Sequence, residues 1–350
     1  MEVGPLEIGP FNEMGLRKPF FPVNDALHEY LVDHNRTGDL PIEYDDLRRY
    51  DGLMPTLDVK GKATLWNTVM YRPSDLEGLH ERLVETYQRL VADGRRIEHL
   101  RVASIDFCAY GNSQPFRIKI LNQINDNHDY YYVKRTDASR VYGLELEQLL
   151  SPNNINFICQ GGTLVEEHII GVPGDSFIDD PVQYGGPVNA VRLSKEFVKF
   201  NERCFARLLG DMRAYNFVVD VIHDLDQVQY RIRSIDFDQQ SYEGRARIYL
   251  PQFYKENLPF VQFAQQVISM ETAEQYRSEE RTLLRKRQRL AKDQLQRLLG
   301  LMRADTISTP EFIEELAKDL AAYHKEPALV KCRSMGELLE RHMEVLLASH

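Results

Sequence analysis

Between His99 and Arg135 the apolar residues fall into three short runs, HLRVASIDFCAYG, PFRIKIL and HDYYYVKR, separated by the turn-prone segments GNSQP and NQINDN. Short aliphatic and aromatic runs punctuated by Gly, Pro, Asn and Asp predict three antiparallel strands joined by hairpins. Upstream the period changes. Over residues 74–92, Leu76, Leu79, Leu83, Leu90 and Val91 fall largely on one helical face, Ser74 and Glu77 have the spacing of a capping box, and Gly94 closes the end. Residues 1–73 are rich in Pro, Gly, Asn and Asp, with only short apolar clusters. They read as a loop-rich extension with one short helix near Asp25–Asp33.

Downstream of the three strands, a short helix is expected around Leu144–Leu150, stopping at Ser151-Pro152-Asn153. INFICQG and TLVEEHIIG then read as strands meeting at Gly161-Gly162. Beyond Gly171 the pattern is mostly helical. Ser194 can cap a helix carrying Phe197, Phe200, Cys204, Phe205 and Leu208, ending at Gly210. FVVDVIHDLDQVQYRIRSIDF alternates as a hairpin that turns near Asp224-Leu225-Asp226. From about Pro259 three or four helices are expected, and Thr309 followed by Pro310 is a helix start with proline at the first helical position. The chain shows no internal repeat and no low-complexity tract. The resulting division is an extension over 1–73, a strand-rich unit over 74–170 and a helical unit over 171–350.

Bulk properties narrow the function classes. At 350 residues, 43% hydrophobic and 27% charged, the chain can bury one large or two modest cores. A formal charge of -10 and a pI of about 5.6 argue against a dedicated nucleic-acid or anionic-membrane binder. No apolar run is long enough to span a bilayer, and MEVGPLEIGPFNEMG has no secretory pattern. The four cysteines, Cys108, Cys159, Cys204 and Cys332, form no CxxC pair, which suits a reduced cytoplasmic protein. The histidines show no paired ligand spacing, so a zinc site is not expected. The basic stretch 281–303, RTLLRKRQRLAKDQLQRLLGLMR, places Leu284, Ala291, Leu295, Leu298 and Met302 on one face. A solvated helix packed on the helical unit is the simpler reading; an anionic-substrate or nucleic-acid surface is the sharper one.

The residues that suggest chemistry lie in LGDMRAYNFVVDVIHDLDQVQYRIRSIDFD, residues 209–238. Asp211 is followed five residues later by Asn216, and Asp236 sits inside an apolar Ile-Asp-Phe run. Magnesium takes hard oxygen ligands, and phosphoryl transfer requires cations on the phosphates and a group that orients the incoming hydroxyl. Asp211, Asn216 and Asp236 are oxygen donors of that kind.

LGDMRAYNFVV resembles the catalytic loop of the protein-kinase-like superfamily, H-x-D-x-x-x-x-N followed by an apolar strand. SIDFD resembles its metal-binding D-F-G motif in the variant form of atypical members such as the HipA-type and aminoglycoside-phosphotransferase-like kinases. YYYVKR resembles the third-strand V-A-I-K signature. The resemblance spans roughly residues 100–255. It implies an α+β, two-lobed kinase-like fold: a small antiparallel β-rich lobe, a larger mainly helical lobe, and here an N-terminal extension. It further implies ATP and Mg2+ as cofactors. Asp211 would be the catalytic-loop aspartate, with Arg213 where many kinases carry a phosphate-contacting lysine. Asn216 and Asp236 would hold magnesium, and Lys134 would meet the nucleotide phosphates, steadied by Glu145 or Glu147. Backbone groups of Glu167, His168 and Ile169 would meet the adenine edge. The chain departs from the pattern at several points. AYGNSQPF carries one glycine where a Gly-rich loop is usual, Leu209 stands where His is usual, and Asp238 replaces the Gly of D-F-G. QQSYEGRARIYLPQFYKEN does not match the usual activation segment. The expected activity is an ATP- and Mg-dependent phosphotransferase acting on a hydroxyl of a protein or small molecule. The alternatives are a pseudokinase scaffold or a kinase-fold nucleotidyltransferase.

Overall fold

A computed structural model describes residues 18–58, 61–92, 94–179, 188–224 and 227–348. The fold is α+β. The N-terminal half builds one antiparallel sheet, and helices dominate the C-terminal half. Helices α1 (Asp25–Asp33) and α2 (Tyr44–Leu47) come first, followed by strands β1 (Gly52–Leu57) and β2 (Ala63–Met70). After α3 (Pro73–Ala92) come β3 (Leu100–Phe107), β4 (Phe116–Asn122) and β5 (His128–Arg135), then α4 (Ala138–Leu150), β6 (Phe157–Gln160) and β7 (Thr163–Glu167). These seven strands lie in the order β1-β2-β3-β4-β5-β7-β6. β8 (Val172–Pro173), α5 (Gly174–Asp179) and α6 (Ala190–Arg207) lead to the hairpin of β9 (Phe217–Asp224) and β10 (Gln227–Ser234), whose turn at Leu225-Asp226 lies outside the described residues. β8 pairs with β9 to complete a three-stranded sheet. The chain continues through α7 (Leu258–Val267), α8 (Met270–Leu290), α9 (Lys292–Ala304), α10 (Pro310–His324) and α11 (Met335–Leu346).

The structure revises several sequence expectations. Residues 52–70 are not part of a loop-rich extension; they form the β1–β2 hairpin and extend the main sheet. Its alternation is weak because apolar residues are exposed on both faces, the adjacent Leu53 and Met54 being 37% and 54% exposed. The first helix over Asp25–Asp33 is present, capped by Asn24, whose side chain accepts from Leu27 N. The α3 helix begins at Pro73, so Ser74 lies inside it and its hydroxyl meets Asp75 instead of capping. Likewise α6 is capped by Asn189, which leaves Ser194 buried within the helix, and it ends at Leu208 in a left-handed cap, φ 51°, two residues before Gly210. The helix expected at Leu144 starts six residues earlier, where the Asp137 side chain accepts from Arg140 N. From Leu258 onward the chain forms α7 to α11, five helices in place of three or four, because the basic stretch 281–303 breaks at Ala291 between α8 and α9. Its apolar residues Leu284, Leu295, Leu298 and Met302 are buried. Arg281, Arg287 and Arg297 are paired with Glu202, Glu280 and Asp33.

The main sheet separates two environments. One face packs on α3: Leu79, Leu83 and Leu90 meet Ile105, Phe116, Ile118, Tyr131, Val133 and Val165 in one apolar cluster. Successive strand residues point to opposite faces, so Tyr132 and Lys134 of β5, and Leu164 and Glu166 of β7, turn away from α3. On that side lies the larger core, built from α1, α4, α6, the β9–β10 hairpin and the C-terminal helices. Lys134 and Glu166 are therefore forced toward the interior where the two halves of the chain meet. The four cysteines are free and buried. No helix among the described residues is long and apolar enough to cross a membrane.

Candidate functional site

β5 and β7 run antiparallel with Lys134 opposite Leu164 and Tyr132 opposite Glu166. Lys134 and Glu166 are thus diagonal neighbours on one face, within reach of long side chains. The Lys134 ammonium donates to Glu166 Oε2 at 2.7 Å. Helix α4 adds Arg140, 1% exposed, whose planar guanidinium forks onto Glu166 through Nε and Nη2. The third nitrogen, Nη1, donates to Asp236 Oδ1 at 2.9 Å and Asp238 Oδ1 at 2.8 Å. α4 comes this close because Gly143 has no side chain: a Cβ there would lie 3.0 Å from Cβ of Phe237 and 3.1 Å from Cβ of Gln240. The β3–β4 turn reaches the same cluster, with Ser113 N donating to Asp238 Oδ2 at 3.2 Å.

Asp211 and Asn216 approach from the loop after α6. Leu209 pairs with Gln240, and Gly210 N donates to Gln239 O, which lays this loop alongside the Asp236 segment. Asp211 has a left-handed backbone, φ 55°. Such a conformation is unfavourable by about 1 kcal/mol or more in a residue with a side chain. Its amide is held twice, by Ile248 O at 3.3 Å and Tyr254 Oη at 3.0 Å. Asn216, at the end of a single 3-10 turn, donates from Nδ2 to Asp211 O at 2.7 Å and Asp211 Oδ2 at 3.3 Å. Its carbonyl accepts from Ile235 N, next to Asp236. Arg213 Nε donates to Asp211 Oδ1 at 2.7 Å, and its Nη1 pairs with Glu256. A path of contacts therefore runs from Lys134 through Glu166 and Arg140 to Asp236, and from its chain neighbour Ile235 through Asn216 and Asp211 to Arg213.

Other expected positions lie elsewhere. Neither Glu145 nor Glu147 steadies Lys134. Glu145 accepts from Tyr30 Oη and Arg36 Nε, and Glu147 is paired with Arg207 and Asn153. The helix turns these two residues toward α1 and α6, and the carboxylate for Lys134 comes from the neighbouring strand. The Glu167 amide is already donated to Asn156 O at 3.0 Å, so it is not open to an adenine edge. His168 hydrogen-bonds Tyr132 Oη through Nδ1, and Ile169 is buried. Arg140, Glu166 and Ser113 join the cluster without any motif that marks them, and Asp238 joins it as a carboxylate where the pattern has glycine. Two signals were readable: a Glu inside the apolar strand TLVEE, and a second Asp in IDFD.

The cluster holds two cations, Lys134 and Arg140, and three carboxylates, Glu166, Asp236 and Asp238. Burial would raise Glu166, but Arg140 and Lys134 outweigh it and hold the carboxyl down to about 2. Burial likewise opposes ionisation of Asp238, and Arg140, Lys134 and Lys18 keep it low. The surplus negative charge appears at Asp236: burial and the Asp238 carboxylate push it up to about 6, against Arg140. Burial and the adjacent Arg140 lower Lys134 below the usual lysine range, with Glu166 opposing. Asp211 is raised by burial, with Arg213 opposing.

A magnesium ion bound with a nucleotide needs only one or two carboxylates from the protein, the rest being phosphate oxygens and water. Asp236 fits that role: its side chain is 35% exposed and its protein hydrogen bonds fall on Oδ1. Asn216 makes its side-chain bonds through Nδ2. Among the described residues no group of three or more His, Cys, Asp or Glu is arranged to hold a metal. The chain matches no protein-family model and no curated protein.

Proposed function

We propose that the protein is an ATP- and Mg-dependent phosphotransferase of kinase-like fold, with the main sheet as a small nucleotide lobe and the C-terminal helices as the large lobe. The observation that carries this reading is the contact path from the strand lysine to the loop aspartate. A cation for the phosphates, Lys134, oxygen donors for a metal, Asn216 and Asp236, and an aspartate for the hydroxyl, Asp211, are brought together along it although Lys134 and Asp236 are 102 positions apart. In this reading Lys134 binds phosphate oxygens, and Asp236 with Asn216 holds the metal. Magnesium, when bound, offsets phosphate charge. Asp211, fixed by its twice-held amide and by Asn216, receives the hydroxyl proton or orients the hydroxyl for in-line attack. The β3–β4 turn, through Ser113, covers the phosphates in place of a Gly-rich loop.

Thermal shift with ATP, with and without magnesium, tests binding, since a ligand that binds the native state raises the melting temperature. A magnesium-dependent rise is expected. Asp236→Ala should abolish it and reduce phosphotransfer by about 100-fold or more, as for loss of one preorganised electrostatic group. Retained transfer by that variant refutes the role.

One observation favours a second reading. Arg140 Nη1 occupies Oδ1 of Asp236, an oxygen a metal would use. A pseudokinase scaffold would keep that ion pair closed and transfer no phosphate, whether it binds nucleotide or nothing. Transfer of a nucleotidyl group instead of a phosphoryl group is read from intact mass, as an AMP or a phosphate adduct.

A further inference from the structure

Beside Asp211 lies an open recess of about 210 Å³ lined by Arg245, Arg247, Ile248, Phe253 and Tyr254. Two of these, Ile248 and Tyr254, are the residues that hold the Asp211 amide, so the recess and the loop aspartate share one wall. Arg245 and Arg247 are exposed, and among the described residues neither forms a direct ion pair. Arg245 acts on Glu243 only through space, and Arg247 makes a long contact to Phe253 O at 3.5 Å and lies over the Phe253 ring. By contrast, Arg213, also beside Asp211, is consumed by Asp211 and Glu256. The recess therefore presents two exposed guanidinium groups that form no ion pair among the described residues, on the wall that holds the Asp211 amide, with half-exposed Phe253 as an apolar rim (49%). Guanidinium forks recognise carboxylate and phosphate oxygens bidentately. The volume suits one side chain, and the open mouth suits an extended chain lying across it more than a small molecule enclosed on all sides.

We propose that this recess is an acceptor subsite for an acidic peptide, in which a carboxylate or phosphate near the reacting hydroxyl is held by Arg245 and Arg247. The assignment of the adjacent hydroxyl to Asp211 rests on the phosphotransferase reading; the binding of the acidic peptide does not.

The experiment is fluorescence anisotropy with labelled serine peptides flanked by aspartate, by phosphoserine or by lysine, on the full chain and on the charge reversals Arg245→Glu and Arg247→Glu, singly and together. Both side chains are exposed, so the variants should fold, and circular dichroism with thermal melting checks this. The wild type is expected to bind the acidic peptides roughly tenfold or more tightly than the lysine peptide, with affinity falling as salt rises. The double reversal should erase or invert that preference while leaving the ATP-dependent thermal shift unchanged. Equal binding of acidic and basic peptides by the wild type overturns the proposal. So does an unchanged preference in the double reversal, or binding of free phosphoserine alone with no peptide bound. If the acidic preference is present and arginine-dependent but no phosphate is transferred to the peptides, the subsite stands and the phosphotransferase reading fails.

Discussion

Arg140→Met is the perturbation with the largest predicted consequence. The guanidinium is 1% exposed and serves three carboxylates: it forks onto Glu166 and bonds Asp236 at 2.9 Å and Asp238 at 2.8 Å. Methionine matches its stem in bulk, so the change is chiefly electrostatic. Removing one partner of a buried ion pair costs about 3–5 kcal/mol, because the remaining charge stays buried and uncompensated. Asp236, a third exposed, is partly screened by water, so the cost arises mainly at Glu166 and Asp238, and Lys134 alone cannot serve both. Against a typical stability of about 5–15 kcal/mol, a loss of this size is easily read by urea unfolding. The pH dependence gives a second handle. Glu166 has a folded pKa depressed to about 2 from 4.5, so its stabilisation is fully present above 4.5 and is lost as pH falls toward 2. The deficit of Arg140→Met should therefore be greatest at neutral pH and shrink below about 4.5. A deficit under about 1 kcal/mol, the size of an exposed pair, or one that does not shrink in acid, refutes the reasoning. Arg140→Lys should fall between the two, since an ammonium keeps the charge but loses the fork.

Asp236 has the opposite sign. Its folded pKa is raised from 3.8 to about 6, so the group's contribution to stability falls as pH rises between those values, and Asp236→Asn should flatten stability against pH over that window. Because a metal ligand must be deprotonated, magnesium-dependent ATP stabilisation should also weaken as pH drops through about 6; a binding curve flat across pH 5 to 7 refutes a raised Asp236 carboxyl as the ligand. Glu147→Gln leaves Arg207 buried without its carboxylate and should cost about 3–5 kcal/mol while keeping the ATP response of the wild type; loss of that response would return Glu147 to the site. Gly143→Ala gains about 1 kcal/mol of helix propensity but pushes a Cβ to 3.0 Å and 3.1 Å from Phe237 and Gln240. Overpacking of about 1–3 kcal/mol should prevail, and a variant with a higher melting temperature contradicts that close approach.

What could be read from the sequence was what is local in sequence. The three strands from Leu100 to Arg135, the β9–β10 hairpin and the proline-started α10 follow from short-range pattern and turn chemistry. The hairpin of β1 and β2 did not, because apolar residues such as Leu53 and Met54 are exposed on both its faces and the period-2 signal is lost. At the site, the juxtaposition of Asp211 with Asn216 follows from a five-residue spacing on one loop. The partner of Lys134 could not be read that way. Choosing a carboxylate on α4 assumes that the helix turns Glu145 or Glu147 toward the sheet, but its register is set by burial against α1 and α6, where Arg36 and Arg207 claim them. The residue that α4 does turn toward the sheet is Arg140. A cation there adds to Lys134, so the balancing carboxylates must come from elsewhere. They come from Glu166 on the adjacent strand and from the Asp238 that stands where a glycine was expected. The two departures are therefore coupled: Asp238 without Arg140 would leave three carboxylates, Glu166, Asp236 and Asp238, facing a single lysine, and Arg140 without Asp238 would place a second buried cation beside Lys134 with one fewer carboxylate. Substituting both, as Arg140→Met with Asp238→Gly, should accordingly cost less stability than the sum of the single changes. A double-mutant cycle that proves additive would show that the two residues act independently.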